Sequence, residues 1–392
     1  MILDKTFPPD PRVKNEATAL INDGNDVYLF CLKYKSEKPA HEEIDGIYTC
    51  RYQSNSIEYK LSALVFTLPF YTFLMKRKIY SFLIENKIEA IHIHDIRIAE
   101  AVFHANKKLK LPTILDLHDN MPEIIKLYPH LQKFPGKQLI SPKKWKKKEE
   151  EFIHEATKVI TVSNEFVEEV KERTGITENK ISLVPNTVSA SFYENSYRDK
   201  NISSRFKDKF VILYLGDTGL RRGLLTAIDA VPELKKKIPN LKLVIVGKSS
   251  EDQVLKRRVE ELNVGNYVNF EGWQDMNLFP TYIEMSAVCI SPLHRNVQHD
   301  VAYANKLFQY MSLSKPVLAS NALAQKKMIL RTESGLVHEE KNEADFAKKV
   351  LQLHEDPELR ARLGSNGRKF IEDEFVWEKV SKNLINIYND LN

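Results

Sequence analysis

The sequence predicts an α/β protein of two domains, each a parallel sheet with crossover helices. Three observations carry this reading. Short β-branched and aliphatic runs alternate with longer amphipathic stretches along the whole chain, the pattern of strand–helix–strand units. The 392 residues suffice for two or three domains at roughly 100–200 residues each. One polar stretch, 186–209, rich in Ser, Asn, Arg and Lys and without apolar period, divides the chain near its middle.

In the first half the runs that read as strands are 2–3, 26–31, 47–50, 90–94, 112–117, 158–162 and 181–184. In the second they are 210–215, 241–246, 268–270, 287–290, 316–319 and 335–337, followed by helical periodicity to the end. The boundaries read as a first domain at 1–188, a linker at 189–209, a second domain at 210–370 and a closing helical segment at 371–392.

Composition narrows the class. With 43% apolar and 28% charged residues the chain is neither disordered nor fibrous, yet its 13 glycines are about 3% of it, under half the usual ~7%. Three scattered cysteines, Cys31, Cys50 and Cys289, make no disulfide framework or four-ligand zinc site, so a reducing, cytoplasmic setting is expected. No signal peptide opens the sequence, and the longest apolar run, 61–75, is interrupted by Pro69 and falls short of the ~20 residues of a membrane helix.

The net charge of +5 is uneven. From Lys76 to Lys148 there are 16 Lys/Arg against 7 Asp/Glu, a basic face that suits an anionic membrane surface or an anionic acceptor. The run 61–75 followed by Lys76-Arg-Lys78 joins apolar to cationic surface as interfacial helices do, while a core helix is the plain alternative. Lys143-Lys-Trp-Lys-Lys-Lys148 runs straight into Glu149-Glu-Glu151 with one aromatic, a solvated helix rather than a nucleic-acid site.

Chemistry concentrates in Val211-Ile-Leu-Tyr-Leu-Gly-Asp-Thr-Gly-Leu-Arg-Arg-Gly223, a buried strand entering a turn and then a helix. Helix-start N–H groups, glycines that admit a close ligand, and an Arg able to bind oxygens bidentately describe an anion site. Its spacing is neither the dinucleotide fingerprint nor a Walker loop. Further on, Ala304-Asn-Lys-Leu-Phe-Gln-Tyr-Met311 puts Leu307, Phe308 and Met311 on one helix face with Asn305 and Lys306 at its start. In the first half, Ile91-His-Ile-His-Asp95 and Leu115-Asp-Leu-His-Asp119 bring His94, Asp95, His118 and Asp119 to the C-terminal edge of a parallel sheet, where α/β ligands bind.

These segments, with Lys315-Pro-Val, Asp10-Pro-Arg-Val13, Val159-Ile-Thr-Val-Ser163, Val184-Pro-Asn186, Asp356-Pro-Glu-Leu-Arg360 and Phe375-Val-Trp377, resemble in order the retaining glycosyltransferases of family 4, over essentially the whole chain. The resemblance implies a GT-B fold, two Rossmann-like domains whose sheets face across a cleft, with C-terminal helices returning to the first domain. It implies transfer of a sugar, with retention, from a nucleoside-diphosphate sugar held by the second domain to an acceptor hydroxyl held by the first, in polysaccharide or glycolipid biosynthesis.

By the same resemblance, donor-binding residues are Gly216, Arg222, Gly223, Gly247, Trp273, Asn305, Lys306 and Gln309. His118 is the catalytic residue, and Asp10, Arg12, His94 and Asp119 are acceptor-side. The stretch 121–140 is a candidate acceptor lid. Where many members carry two glutamates eight positions apart, this chain has Val301 and Gln309, and Ser314 replaces a usual glycine. No Asp-x-Asp is present to hold a metal-bound sugar nucleotide, so neither metal nor cofactor is expected. Expected partners are the nucleotide sugar, a carbohydrate or lipid-linked acceptor and an anionic membrane surface on whose inner face the protein is peripheral, with no nucleic acid. Two alternatives stand beside this: a non-catalytic sugar-nucleotide-binding protein, suggested by Gln309 and Val301, and a metal-dependent hydrolase built on His92, His94 and Asp116 or His118.

Overall fold

The structure, a computed structural model, describes residues 1–34, 38–127, 131, 133–134, 136–194 and 196–391. The chain divides into two compact units, residues 1–185 with 381–392, and residues 186–380.

The first unit holds an eight-stranded sheet. Its strands are β1 (Ile2–Leu3), β2 (Tyr28–Tyr34), β3 (His41–Ile44), β4 (Ile47–Ser54), β5 (Ile91–His94), β6 (Thr113–Leu117), β7 (Lys158–Thr161) and β8 (Ile181–Leu183). The order is β3-β4-β2-β1-β5-β6-β7-β8, parallel except for β3 against β4. The central strands are buried along their length, β5 and β6 at every residue, as expected where helices cover both faces of a parallel sheet.

Edge strand β3 carries His41-Glu-Glu-Ile44 and buries none of them, so no apolar run marks it. Its signal is the turn: Asp45 and Gly46 both take positive φ, 52° and 81°, the Asp-Gly geometry that closes a two-residue hairpin. The run 61–75 forms no single interfacial helix. Helix Ser56–Ser62 ends at its second residue and helix Phe70–Glu85 begins after Pro69, where the proline's missing N–H costs least. The second helix buries Tyr71, Thr72 and Met75 and leaves Phe70 and Phe73 about 60% exposed. Within the described residues of 121–140 there are short helices at Met121–Ile124 and Gly136–Leu139; residues 128–130, 132 and 135 of that candidate lid lie outside the described residues.

The second unit has β9 (Phe210–Leu215), β10 (Leu241–Val246), β11 (Val268–Gly272), β12 (Val288–Ser291), β13 (Val317–Ser320) and β14 (Gly335–His338). All pair in parallel in the order β11-β10-β9-β12-β13-β14. This is the doubly wound order that reverses direction beside its first strand. Ile212, Tyr214, Leu243, Ile245, Val288 and Ile290 form its core with helix Leu224–Lys237, which packs on helix Glu343–Glu355. The polar stretch read as the linker contains helices Ser191–Glu194 and Lys200–Arg205, the latter capped by Asp199. The closing helix Trp377–Asn389 crosses the division, its residues from Ser381 onward belonging to the first unit.

Candidate functional site

In each unit, side chains collect at the C-terminal strand ends beside the switch in strand order. In the second unit that point lies between β9 and β12. β9 ends at Leu215, and Gly216 turns away with φ 113°. Gly247, at the end of β10, has φ 139°, and a Cβ there would fall 1.8 Å from the Gly216 carbonyl oxygen, so the two strand ends meet only because no side chain intervenes. Gly223 caps helix Leu224–Lys237 without a side-chain hydrogen bond, and no acidic residue lies in the first turn. That helix start keeps its positive end for an anion. The loop is held from the other side: Gly223 lies against the Pro292 carbonyl, and the His294 N–H donates to the Arg221 carbonyl at 3.1 Å.

Cations line this loop. Arg222 Nε donates to Asp217 Oδ2 at 3.0 Å, and Arg221 lies 3.6 Å from the same oxygen. Burial works to raise the Asp217 carboxyl, but pairing with Arg222 outweighs it and holds it below its ordinary value. Lys306, in helix Asn305–Ser312, places Nζ 3.6 Å from the centre of the Tyr214 ring and beside Gly216. Burial, then the Arg222 charge, pushes its amine well below the usual lysine value. A bound anion would oppose that second effect and favour its ammonium form. Asn305 is exposed at the first position of this helix, and the N-cap is Ala304, not Asn305. Gln309 sits a turn later, half-buried, and Trp273 follows β11 at 66% exposed. The structure thus gathers Gly216, Arg222, Gly223, Gly247 and Lys306 around one loop.

Ser314 adopts φ 56°, the left-handed conformation that makes glycine the natural occupant. Val301 is buried and Asp300 beside it is taken by Arg295, at 3.0 Å, and by the Leu323 N–H, at 2.8 Å. The polar group in this segment that sequence reasoning missed is His299, buried with its Nε2 unpartnered.

The corresponding point in the first unit lies between β1 and β5. There Asp4, Asp95, His118 and Asp119 leave the ends of β1, β5 and β6. Beneath them lies a row of buried polar groups. Arg12 binds Asp116 with two hydrogen bonds of 2.7 Å, donates to the Val184 carbonyl at 3.0 Å and pairs with Glu16 at 2.9 Å. Asp116 Oδ2 also meets His94 Nδ1 at 3.2 Å and His118 Nδ1 at 3.3 Å. His92 stacks on His94 and reaches the Tyr388 hydroxyl at 3.0 Å. Burial disfavours the His118 imidazolium, but Asp116 overrides it and raises His118 to about 9. The opposite balance holds for His94, which burial keeps below its ordinary value.

Of the residues read as acceptor-side, Arg12 and His94 are buried and both engage Asp116. Asp10 caps helix Pro11–Asn22, accepting from the Val13 N–H at 3.1 Å. Asp119 stands at the edge with His118, its carboxyl raised by burial. Asp4 was not read from the sequence, yet it is buried there, neither carboxylate oxygen hydrogen-bonded, with Arg97 Nε 3.5 Å from Oδ2. For the hydrolase alternative, Glu16, His92, His94 and Asp116 do bring ligand atoms within 4.8 Å of one another. The cation already seated among them is Arg12, which engages both carboxylates, so this donor set does not fit a divalent metal.

Comparison with known proteins places these features in a family. The model for glycosyl transferases group 1 matches residues 196–370, and that for glycosyltransferase family 4 matches residues 12–192. A glycosyltransferase of Methanocaldococcus jannaschii, MJ1607, is 22% identical over 381 residues, 96% of this chain and 92% of that protein. Two other curated relatives, both of Bacillus subtilis, are spanned over only 41% and 66% of their length. Among solved structures, sucrose-phosphate synthase of Thermosynechococcus elongatus superposes with a TM-score of 0.77 at 20% identity, covering 97% of this chain and 92% of that one. HepE of Anabaena, solved in complex with UDP, gives 0.72 at 14% identity over 99% of both chains.

Proposed function

This chain belongs to the group 1 glycosyltransferases of family 4 type, with the GT-B fold, and from that premise we propose that it moves a sugar, with retention, from a nucleoside-diphosphate sugar to an acceptor hydroxyl. The carrying observation is the loop from Gly216 to Gly223, which brings together Arg222, Lys306 and a helix start without a side-chain cap. As the bond to the sugar breaks, negative charge grows on the leaving diphosphate. Pre-organised donors stabilise that charge without reorganising, and Arg222, the Lys306 amine and the helix N–H groups are such donors. This supports a donor site that works without a metal ion.

His118 is the residue we assign to the reacting centre. Raised to about 9 by Asp116, it is an imidazolium at neutral pH and serves as a hydrogen-bond donor rather than a base. Asp116 and Arg12 position it from beneath. Acceptor hydroxyls then fall to Asp4 and Asp119, carboxyls at the same edge.

The setting we propose is assembly of a polysaccharide or glycolipid. Exposed Phe70 and Phe73 beside Lys76, Arg77 and Lys78 support peripheral attachment to an anionic membrane; no helix among the described residues is long and apolar enough to cross one. The test is a thermal-shift panel of nucleoside diphosphates and their sugars, followed by mass-spectrometric detection of transfer from the donor that stabilises most. Stabilisation by one family of nucleotide sugars is expected, and a flat response to every one of them would overturn the proposal.

A further inference from the structure

We infer that His299 binds the transferred sugar: its Nε2 accepts a hydrogen bond from a hydroxyl of the sugar carried by the nucleoside diphosphate. The inference rests on the donor-site reading above and adds to it the residue that recognises the sugar.

His299 lies in the short helix Val297–Val301, whose cap Asn296 accepts from the His299 N–H at 2.9 Å. Its ring nitrogen Nδ1 is 2.7 Å from the His294 carbonyl oxygen and 3.0 Å from Asn296 Nδ2, whose N–H groups also reach that carbonyl at 3.3 Å. The shorter contact decides the tautomer: a carbonyl can only accept, so Nδ1 carries the proton and Nε2 is left with a bare lone pair. That Nε2 has no hydrogen-bond partner although the residue is only 3% exposed. Buried acceptors are ordinarily paired, so one that is not requires an explanation.

Its surroundings supply one. The segment from Pro292 to His294 is locked to the donor loop through Gly223 and the Arg221 carbonyl, and the charges that act on His299 are Arg222, Arg221 and Lys306. Burial first, then Arg222, Arg221 and Lys306, push the imidazole down to about 4, so at neutral pH it has no second proton to donate. Phosphate oxygens only accept, and Arg222, Lys306 and the helix N–H groups are their partners. A neutral imidazole acceptor beside them needs a hydroxyl, and the hydroxyls next to a nucleoside diphosphate's terminal phosphate are those of the sugar. Asp300, the neighbouring carboxylate, is already taken by Arg295 and the Leu323 N–H.

The experiment compares the parent with His299→Asn and His299→Gln, using calorimetry with UDP and UDP-glucose, or with the corresponding pair from the donor panel. Asparagine keeps an N–H near the position of Nδ1, able to donate to His294, and deletes Nε2. Glutamine carries an amide oxygen out to the position of Nε2. The expected result is that His299→Asn leaves nucleoside-diphosphate affinity within about twofold, weakens sugar-nucleotide affinity roughly tenfold, and that His299→Gln recovers part of the loss. Equal weakening of both ligands assigns His299 to phosphate or ribose and overturns the inference, as does no weakening of either. Nitrogen NMR of the unsubstituted protein gives the same answer without relying on a variant's folding: His299 Nε2 should shift with the sugar nucleotide and not with the diphosphate, and identical spectra overturn it. A parent that binds no nucleotide sugar defeats the donor-site reading itself, a distinguishable outcome.

Discussion

Replacing His118 by glutamine should cost stability in a pH-dependent way, and the structure sets its size. In the parent, Asp116 overcomes the penalty of burial and raises His118 from 6.5 to about 9. At ~1.4 kcal/mol per pH unit that interval is worth roughly 3 kcal/mol at most, and with the ring 15% exposed we take roughly 2–3 kcal/mol. The folded state holds this proton more tightly than the unfolded state. The contribution is therefore complete below about pH 6.5, is lost as pH rises through about 9, and is gone near pH 10. Denaturant unfolding of parent and His118→Gln at about pH 6 and pH 10 measures it. The loss on substitution should be roughly 2–3 kcal/mol at the lower pH and under ~0.5 kcal/mol at the higher. A pH-independent loss, or a His118 that titrates near 6.5 by histidine-selective NMR, would refute the coupling to Asp116 and the hydrogen-bond-donor role derived from it.

Arg222→Ala should weaken nucleoside-diphosphate binding by roughly 10- to 100-fold, the worth of a charge-assisted contact, and abolish transfer with an unchanged circular dichroism spectrum; an unaltered Kd would remove Arg222 from the phosphate site. Asp217→Asn keeps an oxygen for the Gly219 N–H but frees Arg222 of its counter-charge, so calorimetry should find nucleoside diphosphates bound a few-fold more tightly and with steeper salt dependence. Weaker binding would show that Asp217 itself serves the ligand. Gly247→Ala would thrust a methyl group onto the Gly216 carbonyl, and we expect more than ~2 kcal/mol of destabilisation together with loss of donor binding. A melting curve matching the parent's would contradict that close approach. Ser314→Gly relieves a left-handed serine and should stabilise by ~1 kcal/mol, a rise of a few degrees in Tm, whereas a fall would mean the serine side chain contributes something its backbone conformation hides.

The α/β class with its two parallel sheets, nearly all the strands and the glycine-bearing turn from Gly216 to Gly223 were legible in the sequence because the signals behind them are local. A strand buried on both faces must be an unbroken apolar run, as β9 and β10 are. A helix start left without a side-chain cap after a buried strand is announced by a glycine-bearing turn, as Gly216 to Gly223 is. The order of the flanking motifs likewise identified the family. β3 escaped because an exposed edge strand has no apolar run to betray it; its turn, Asp45-Gly46, was the usable signal.

Which polar groups meet was decided only by the tertiary structure. Arg12 and Asp116 are separated by 104 residues, and they pair because helix Pro11–Asn22 lies on the face of the sheet where β5 and β6 present His92, His94 and Asp116. That pairing turned two expected ligand contacts, Arg12 and His94, into supports for His118, and it placed a guanidinium where a metal had been conceivable. His299 is the same lesson in the second unit. Its type and position in the chain say nothing, and only the fold shows that one ring nitrogen is satisfied by His294 and the other is buried without a partner among cations. Periodicity encodes which residues leave water; strand order encodes which buried charges must neutralise one another, and the chemistry of this site depends on the second.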